Sequence, residues 1–463
     1  MSKALECQMP EILSSASLRS IYSHNARRNK NLQPRIHQRL LSSTAGSRNN
    51  ALPLSGLRVL DLSRVLAGPY CTQILADYGA TVLKIEQPGT GDETRQWRVS
   101  GEDLMWKDQY PQMSLYFAAV NRNKRSMTLD LKSPQGLEII QKLVRNSDIL
   151  VQNFVPGKAE SMGLGYDVLS AENRRLIYAS ISGYGTSGPS RSRAGYDAIA
   201  LAEAGILHVT GEADSAPVKP GVAMADMCTG LYAHGAILTA LAQRERTGRG
   251  TKIECSLFET SLSMLINVGL TALNLDKTSS ARRRGERYGL GHPSLVPYGG
   301  FVTKDNKRIF IAANNNRQWQ LFCRALKLDE IAGDKRFSTN DGRVQHRDEI
   351  NRVVQAEFQK RTKEQMMQLL EGTGLPYGGI NDVVEALEHP QSRARGMVTT
   401  IENFEAARDG VLSLIAPPVT FKDTKFAGVR IKPPVLGEHT AQVLEELEYT
   451  TSQMAEFRKA GIV

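Results

Sequence analysis

The sequence lacks the features of a disulfide-stapled, zinc-binding or membrane-spanning protein. Its five cysteines are an odd number, lie far apart and form no Cys-x-x-Cys pair, so we expect reduced thiols and no metal site. Apolar runs such as residues 235–241 are much shorter than the roughly 20 residues that a membrane-spanning helix needs. A membrane partner is therefore not expected.

The positive charge of the chain is concentrated at its start. Residues 1–50 contain eight Lys or Arg and two acidic residues, and so supply six of the ten net positive charges. A basic, Ser-rich and acid-poor segment is typical of an organelle transit peptide, and a disordered basic tail is the alternative. The remaining chain is only mildly basic and has no basic helix or patch with interleaved aromatic residues, which argues against a nucleic-acid partner.

From Leu57 onward, strand-like and helix-like segments alternate. The segments LRVLDLS and TVLKIEQP predict strands on either side of a helix over residues 67–80, which together form a βαβ unit. A second helix is predicted after Ser133, a plausible N-cap, with Pro134 at its first position. Strands that alternate with helices indicate an α/β fold with a parallel, doubly wound sheet, whose ligands bind at the carboxyl ends of the strands. Further strands are predicted at residues 126–132, 148–154 and 176–182.

The chain changes character after about residue 285. A strand at 307–315 and two amphipathic helices, at 317–328 and 348–361, predict a smaller α+β domain over residues 285–390. We expect residues 51–260 to form the first part of a large domain and residues 261–284 to form a linker. Residues 391–463 are expected to form a second linker and a C-terminal segment.

The stretch LIYASISGYGTSGP, residues 176–189, has the glycine spacing of a dinucleotide-binding fingerprint. That fingerprint needs a helix that begins at the glycines, because the helix amides hold the pyrophosphate. Residues 190–195 are polar and lack helical periodicity. The pattern therefore favours a glycine-rich turn at the end of a strand.

Several motifs lie in order along residues 54–450. They are LSGLRVLDLSRVLAGPYCTQILADYGATVLKIEQPGTGDETR, NRNKRSMTLDLKSPQG, VQNFVPG, MGLGYDVL, SGYGTSGP and LGEHTAQVLEELEY. Together they resemble the class III CoA-transferases, the family that includes formyl-CoA and carnitine CoA-transferases and α-methylacyl-CoA racemase. The resemblance implies a Rossmann-like, CoA-binding large domain, a smaller α+β domain and a C-terminal segment that returns to the large domain, in an interlocked homodimer.

The resemblance also implies the reaction. The segments GHPSLVPYGGF and AANNNRQW most resemble the mitochondrial members that transfer CoA from succinyl-CoA to a dicarboxylic acid such as glutarate or 3-hydroxy-3-methylglutarate. In this family transfer passes through an aspartyl anhydride and an aspartyl-CoA thioester. CoA esters are then substrates, no cofactor is permanently bound, and the basic leader agrees with a mitochondrial location.

The catalytic residue that the resemblance implies is Asp226. In the family the catalytic aspartate lies in a short acidic turn that opens a long helix, and VAMADMCTGLYAHGAILTALAQ has this pattern. From residue type and position alone, Asp226 is most simply a helix N-cap. Because the helix dipole stabilises a carboxylate at the N-terminus, we expect Asp226 to be ionised and able to attack a thioester.

The resemblance further implies the residues that contact CoA. Gln87 and Ser161 stand where arginines are expected in formyl-CoA transferases, so we assign phosphate binding to Lys132 and Lys158. By residue type alone, each of these lysines is more simply a solvated side chain. The implied CoA contacts are Leu66, Ala67, Leu129, Asp130, Leu131, Lys132, Asn153, Phe154 and Tyr196.

A basic run precedes a segment that resembles the mobile glycine loop of the family. The loop positions are Gly289, Gly291 and His292, with fewer glycines than the family pattern. An arginine of the run 282–284, or Arg287, could hold the distal carboxylate of a dicarboxylic acid in a bidentate pair. A solvated linker is the alternative interpretation of these arginines.

Two other functions stay open at this point. One is racemisation of a 2-methylacyl-CoA, and the other is non-catalytic binding of nucleic acid. A racemase needs a base and an acid on opposite faces of the α-carbon, and racemases of this family pair a histidine in a GHD turn with the aspartate. This chain has GYD, with Tyr196 in place of the histidine, and no histidine between His37 and His208. A tyrosine of pKa about 10 is a poor base.

Overall fold

A parallel β-sheet forms the centre of the structure. The computed structural model describes residues 52–275, 287–422 and 428–463. The strands of the central sheet are β1 (Arg58–Asp61), β2 (Thr81–Glu86), β3 (Lys124–Thr128), β4 (Ile149–Gln152), β5 (Ile177–Ser182) and β6 (Lys252–Ser256). Their order is β3-β2-β1-β4-β5-β6, and every neighbouring pair is parallel. This is the strand order of a Rossmann fold.

Helices cover both faces of the central sheet. On one face, the core contains Leu75 of α1 (Ala67–Asp77) and Ile237 of α8 (Met224–Thr247). On the other face, Ile140 of α3 (Pro134–Arg145) is fully buried. The shorter helices of this part are α2 (Leu115–Ala119), α4 (Lys158–Ser161), α5 (Tyr166–Glu172), α6 (Asp197–Glu203), α7 (Ile206–Val209), α9 (Leu257–Ser263) and α10 (Ile266–Asn274).

Local signals explain why α3 begins where it does. The Ser133 side chain accepts a hydrogen bond from the Gly136 amide at 2.9 Å, and Pro134 occupies the first helical position. The cap satisfies an amide that has no partner inside the helix, and proline at this point loses no hydrogen bond. Ile139, Ile140 and Val144 then lie on one buried face.

A second, antiparallel sheet has its own core. It consists of β7 (Tyr298–Val302), β8 (Arg308–Ala312) and β9 (Tyr377–Gly379), in that order. Trp319, Phe322 and Phe358 are fully buried in this core. The helices of this segment are α11 (Asn316–Leu326), α12 (Asp329–Gly333), α13 (Asn340–Gln345), α14 (Arg347–Phe358), α15 (Lys363–Leu370), α16 (Val383–Glu388) and α17 (Pro390–Ala394).

The chain then returns to the central sheet. A hairpin of β10 (Val398–Ile401) and β11 (Leu412–Ile415) joins a core that includes Trp106 and Phe117. The last helices are α18 (Thr440–Glu446) and α19 (Thr451–Lys459). Leu444 of α18 is buried against the face that α3 covers.

The predicted fold class, an α/β protein with a Rossmann-like sheet, is confirmed. Within the predicted 261–284 linker, the structure has the end of α9 and all of α10. Residues 52–463 form one compact unit. The predicted transit segment 1–50 and the arginines at 282–284 lie outside the described residues.

Candidate active site

Two adjoining cavities open at the carboxyl edge of the central sheet. The larger has a volume of about 500 Å³, the smaller about 100 Å³, and Arg64 and Phe154 line both. Every residue that the family resemblance assigns to CoA contact lines one or both of these cavities. The larger is lined by Leu129, Asp130, Leu131, Lys132 and Phe154, and the smaller by Leu66, Ala67, Asn153, Phe154, Tyr196 and also Asp226.

Asp226 lies in the first turn of α8, but it is not the N-cap. The helix begins at Met224 and its cap position is Ala223, which has no side-chain hydrogen bond to offer. The cap is instead supplied from a distance: one carboxylate oxygen of Asp197 accepts the amides of Ala225 at 2.7 Å and of Asp226 at 3.2 Å. The N-cap interpretation of Asp226 is therefore wrong, and the Asp226 carboxyl is left to face the cavity.

The environment of Asp226 opposes its ionisation. Burial, and then the negative charge of Asp197, raise the pKa of Asp226 to about 7. The expectation that the helix dipole keeps this carboxyl fully ionised is corrected, because loss of hydration and a neighbouring like charge outweigh a dipole effect of about 0.3–1 kcal/mol. Near neutral pH, Asp226 is thus divided between the carboxylate and the acid. Perturbed acidic groups in a cavity are frequent at functional sites.

The close packing of α1 and α8 brings Asp226 beside Leu66 and Ala67. Gly230, one turn after Asp226, allows this approach, since a Cβ atom there would lie 2.7 Å from the carbonyl oxygen of Ala67. No side chain caps the N-terminus of α1. The start of α1 is therefore free to favour an anionic group at this cavity, whereas the amides at the start of α8 are bonded to Asp197.

The glycine-rich SGYG turn closes another side of the smaller cavity. Gly183 and Gly195 cross in backbone contact: a Cβ on Gly183 would lie 2.6 Å from Cα of Gly195, and a Cβ on Gly195 would lie 2.4 Å from Cα of Gly183. The first helix after the turn is α6, which begins at Asp197. As predicted, the glycines serve close approach in a turn. Tyr196 follows Gly195 and is 53% exposed.

The basic residues of the larger cavity include one that sequence reasoning missed. Lys132 and Lys158, the predicted phosphate contacts, both line this cavity, together with Gln87. Arg64 also lines it and forms an ion pair with Glu93. The signal that could have identified Arg64 was its position in the turn after β1, at the carboxyl edge of the sheet.

Charged side chains are buried beneath the turn that joins β1 to α1. Lys124 bonds Asp61 at 3.0 Å and Lys84 bonds Asp92 at 2.9 Å, and all four side chains are at most 1% exposed. Burial alone would raise the pKa of Asp61, but the positive charges of Lys124 and Lys84 lower it to about 2. Sequence reasoning did not single out these residues, which in isolation resemble ordinary strand and loop residues.

The predicted loop residues lie in a different cavity of about 1020 Å³. Arg287 and Gly291 line it, and it shares no lining residue with the cavity of Asp226. The Arg287 guanidinium donates to the carbonyl oxygens of His208, Glu212 and Ser215, and so is engaged with backbone. The other loop residues flank this cavity: Gly289 donates its amide to the Gly211 carbonyl at 3.0 Å, and the His292 ring lies 5.1 Å from that of Tyr298.

Two negative findings concern the described residues alone. Among them, no group of three or more His, Cys, Asp and Glu side chains is arranged to hold a metal ion. In the same part of the chain, no helix has the length and apolar character required to span a membrane.

Comparison with known proteins shows close relatives across most of the chain. The model of CoA-transferase family III matches residues 54–440. An "Acyl-CoA transferase" of Fusarium pseudograminearum is 47% identical over 89% of this chain and 88% of its own length. The human "Succinyl-CoA:glutarate CoA-transferase" is 39% identical over 90% of this chain and 91% of its own. The crystal structure of a CAIB/BAIF family protein from Brucella suis is 36% identical, with a TM-score of 0.73 over 86% of this chain and 100% of that one.

Proposed function

Because the chain belongs to CoA-transferase family III, we propose that it transfers CoA from succinyl-CoA to a short dicarboxylic acid, with glutarate or 3-hydroxy-3-methylglutarate as acceptor. The chain is an enzyme of the transferase class. The choice of acids is supported by the human and Agrobacterium fabrum relatives, whose names give succinyl-CoA or succinate with glutarate. CoA esters are the substrates, and the reaction needs no permanently bound cofactor.

The position of Asp226 is the observation that carries the proposal. Its half-buried carboxyl lines one cavity with Leu66, Ala67 and Tyr196. This cavity adjoins a larger one with Lys132 and Lys158 on its wall. A long ligand such as CoA can occupy the larger cavity with its charged end and bring its thioester to Asp226.

The proposed reaction begins with attack by the Asp226 carboxylate on the thioester carbonyl of succinyl-CoA. The carbon–sulfur bond breaks, and the products are a succinyl-aspartyl anhydride and the CoA thiolate. The thiolate then attacks the aspartyl carbonyl, which gives an aspartyl-CoA thioester and releases succinate. The uncapped N-terminus of α1 favours the negative charge that develops at the attacked carbonyl.

The acceptor acid repeats these steps in the reverse order. Its carboxylate attacks the aspartyl-CoA carbonyl, which expels the thiolate and forms a second anhydride with Asp226. The thiolate attacks the acceptor carbonyl of this anhydride, so that the new CoA ester leaves and the Asp226 carboxylate is regenerated. Each intermediate is sensitive to hydrolysis, so the bound substrate must keep water from the aspartyl carbonyl during transfer.

We also propose that the enzyme works as a homodimer in mitochondria. Helix α10 has no buried residue, and its Ile266, Leu270 and Leu273 are 70%, 62% and 76% exposed. A row of exposed apolar side chains is typical of a protein interface. The mitochondrial location is supported by the basic, acid-poor composition of residues 1–50.

An acceptor panel tests the proposed function. With succinyl-CoA as the fixed donor, we expect glutarate and 3-hydroxy-3-methylglutarate to be converted to CoA esters much faster than butyrate or oxalate. Asp226→Asn keeps the shape of the side chain but removes the nucleophile, so its transfer rate should fall at least ~1000-fold, while calorimetry shows CoA affinity close to that of the wild type.

Other acceptor acids, a mechanism without Asp226 and a racemase would each give a different result. Equal rates with butyrate and glutarate would contradict a site for the distal carboxylate, and a preference for oxalate would contradict the proposed acids. Transfer by Asp226→Asn within tenfold of the wild type would remove Asp226 from the mechanism. Rapid entry of solvent deuterium at the α-carbon of a 2-methylacyl-CoA would favour a racemase.

A further inference from the structure

A strained residue lies in the turn between β1 and α1. Val65 has a φ angle of +68°, in the left-handed region that β-branched residues rarely adopt. Leu66 and Ala67 follow it directly, and all three residues line the cavity that contains Asp226. Backbone strain persists only where the surroundings hold it, and it is concentrated at functional sites. The contacts that hold Val65 are therefore informative.

The Asp92 carboxylate holds the Val65 backbone. Both of its oxygens accept the Val65 amide, at 3.1 and 3.2 Å. The same carboxylate accepts the amide and hydroxyl of Thr94 at 3.0 and 2.8 Å, and pairs with Lys84 at 2.9 Å. Charge-assisted bonds on several sides of a buried group fix its position. Asp92 is thus a rigid anchor for the amide of a strained residue.

A second set of bonds attaches the same turn to the sheet. Lys84, on β2, donates to the Ser63 carbonyl oxygen at 2.8 Å, and Asp61, on β1, accepts the Ser63 amide at 3.0 Å. Lys84 therefore connects Asp92 to the turn. The amide and carbonyl of Ser63 and the amide of Val65 are thus bonded to buried charged side chains, while the chain directly after them forms the cavity wall.

We infer that Asp92 is a positioning residue for CoA transfer. Through the Val65 amide, it holds the wall formed by Leu66 and Ala67 at a fixed place beside Asp226. Asp92 lines the larger cavity but not the one that contains Asp226, so its effect on the reacting atoms passes through Val65. The inference rests on the proposed function of the Asp226 cavity.

Glycine at position 65 provides the decisive test, because it adopts a positive φ without strain. Asp92→Asn leaves a single uncharged oxygen for Thr94, Lys84 and the Val65 amide. We expect this weaker hold on Val65 to lower kcat at least tenfold, since small displacements at a reacting centre are costly. In a protein that also carries Val65→Gly, the turn no longer depends on the anchor. The double variant should therefore recover to within about threefold of Val65→Gly alone, a non-additive effect expected of residues in direct contact.

Asp77→Asn is the matched control. Like Asp92, Asp77 is a buried carboxylate in an ion pair, and its partner is Arg122 at 2.6 Å. Asp77 lies at the far end of α1 from Asp226. Its variant should lose thermal stability and keep kcat, and Val65→Gly should not improve it. The pair Asp92→Asn with Lys84→Met leaves no unpaired buried ammonium. Because Lys84→Met also removes the bond to the Ser63 carbonyl, this pair is compared with Lys84→Met alone, each with and without Val65→Gly, if Asp92→Asn by itself folds poorly.

The possible outcomes separate the positioning role from the proposed function. A wild-type kcat in Asp92→Asn, or a loss that Val65→Gly leaves unchanged, would overturn the positioning role. If the wild type transfers no CoA to any acid of the panel, the proposed function fails. CoA affinity then decides the positioning role: a weakening in Asp92→Asn that Val65→Gly reverses supports it, and an unchanged affinity rejects it.

Discussion

At the residue scale, the central feature is the pair formed by Asp226 and Asp197. Asp197 accepts the amides at the start of α8 and so fixes the first turn of that helix. Burial raises its pKa as well, opposed by these hydrogen bonds and by Lys219. Because the negative charge of Asp197 disfavours ionisation of Asp226, the titration of Asp226 depends on the state of Asp197.

The raised pKa predicts how the reaction depends on pH. Asp226 attacks only as the carboxylate, so kcat should fall as pH decreases through about 7. Asp197→Asn removes the like charge and keeps an oxygen that can accept the Ala225 amide. The fall in kcat should therefore move to lower pH in this variant, with a similar rate at high pH. The measurement is a pH–rate profile with saturating succinyl-CoA and glutarate.

A surface ion pair away from the site serves as the control for this profile. Glu172 of α5 pairs with Arg145 at 2.9 Å, and neither residue lines the cavity of Asp226. Glu172→Gln should leave the midpoint of the profile unchanged. An unchanged midpoint in Asp197→Asn as well would show that burial alone sets the pKa of Asp226.

At the element scale, the packing of α1 against α8 decides the geometry of the site. The two helices come from segments about 150 residues apart, and Gly230 is the point at which their backbones approach. Since Asp226 precedes Gly230 by one helical turn, a change in helix spacing moves the nucleophile relative to the wall of residues 66 and 67. The active site therefore depends on a contact that involves no reacting atom.

Gly230→Ala tests this dependence. The added Cβ would meet the Ala67 carbonyl at 2.7 Å, so the helices must separate. We expect a loss of about 1–3 kcal/mol in the free energy of unfolding, measured by denaturant titration, and a clear decrease in kcat. Gly333→Ala, at the end of α12, is the control, because no atom lies within 4 Å of its Cβ position. Full activity of Gly230→Ala would show that the helix spacing is not critical.

At the scale of the whole molecule, we expect the exposed apolar face of α10 to form the interface of the proposed homodimer. Light scattering should give the mass of two chains for the wild type. Leu270→Glu with Leu273→Glu places two charges on that face and should lower the mass or the thermal stability of the dimer. Leu104 is 81% exposed and does not belong to α10, so Leu104→Glu is the control. A wild-type mass of one chain would contradict the proposed homodimer.

The sequence by itself determined several of the secondary structure elements and the edge of the sheet at which the site lies. Alternating apolar patterns located β1, α1 and β2, and the Ser133–Pro134 pair marked the start of α3, because these signals are local. The absence of a helix after SGYG identified a turn rather than a nucleotide-binding loop. The family motifs, rather than periodicity, selected Asp226 and the residues that line its cavity.

Only the tertiary structure decided how those residues are held and charged. Asp197 lies 29 residues from Asp226, and Asp92 lies 27 residues from Val65, so no local pattern reveals either pair. The pKa of a carboxyl depends on its hydration and on the charges that surround it. Both depend on which distant segments pack together, and this is the reason that the sequence predicted a nucleophile but the fold determined its ionisation.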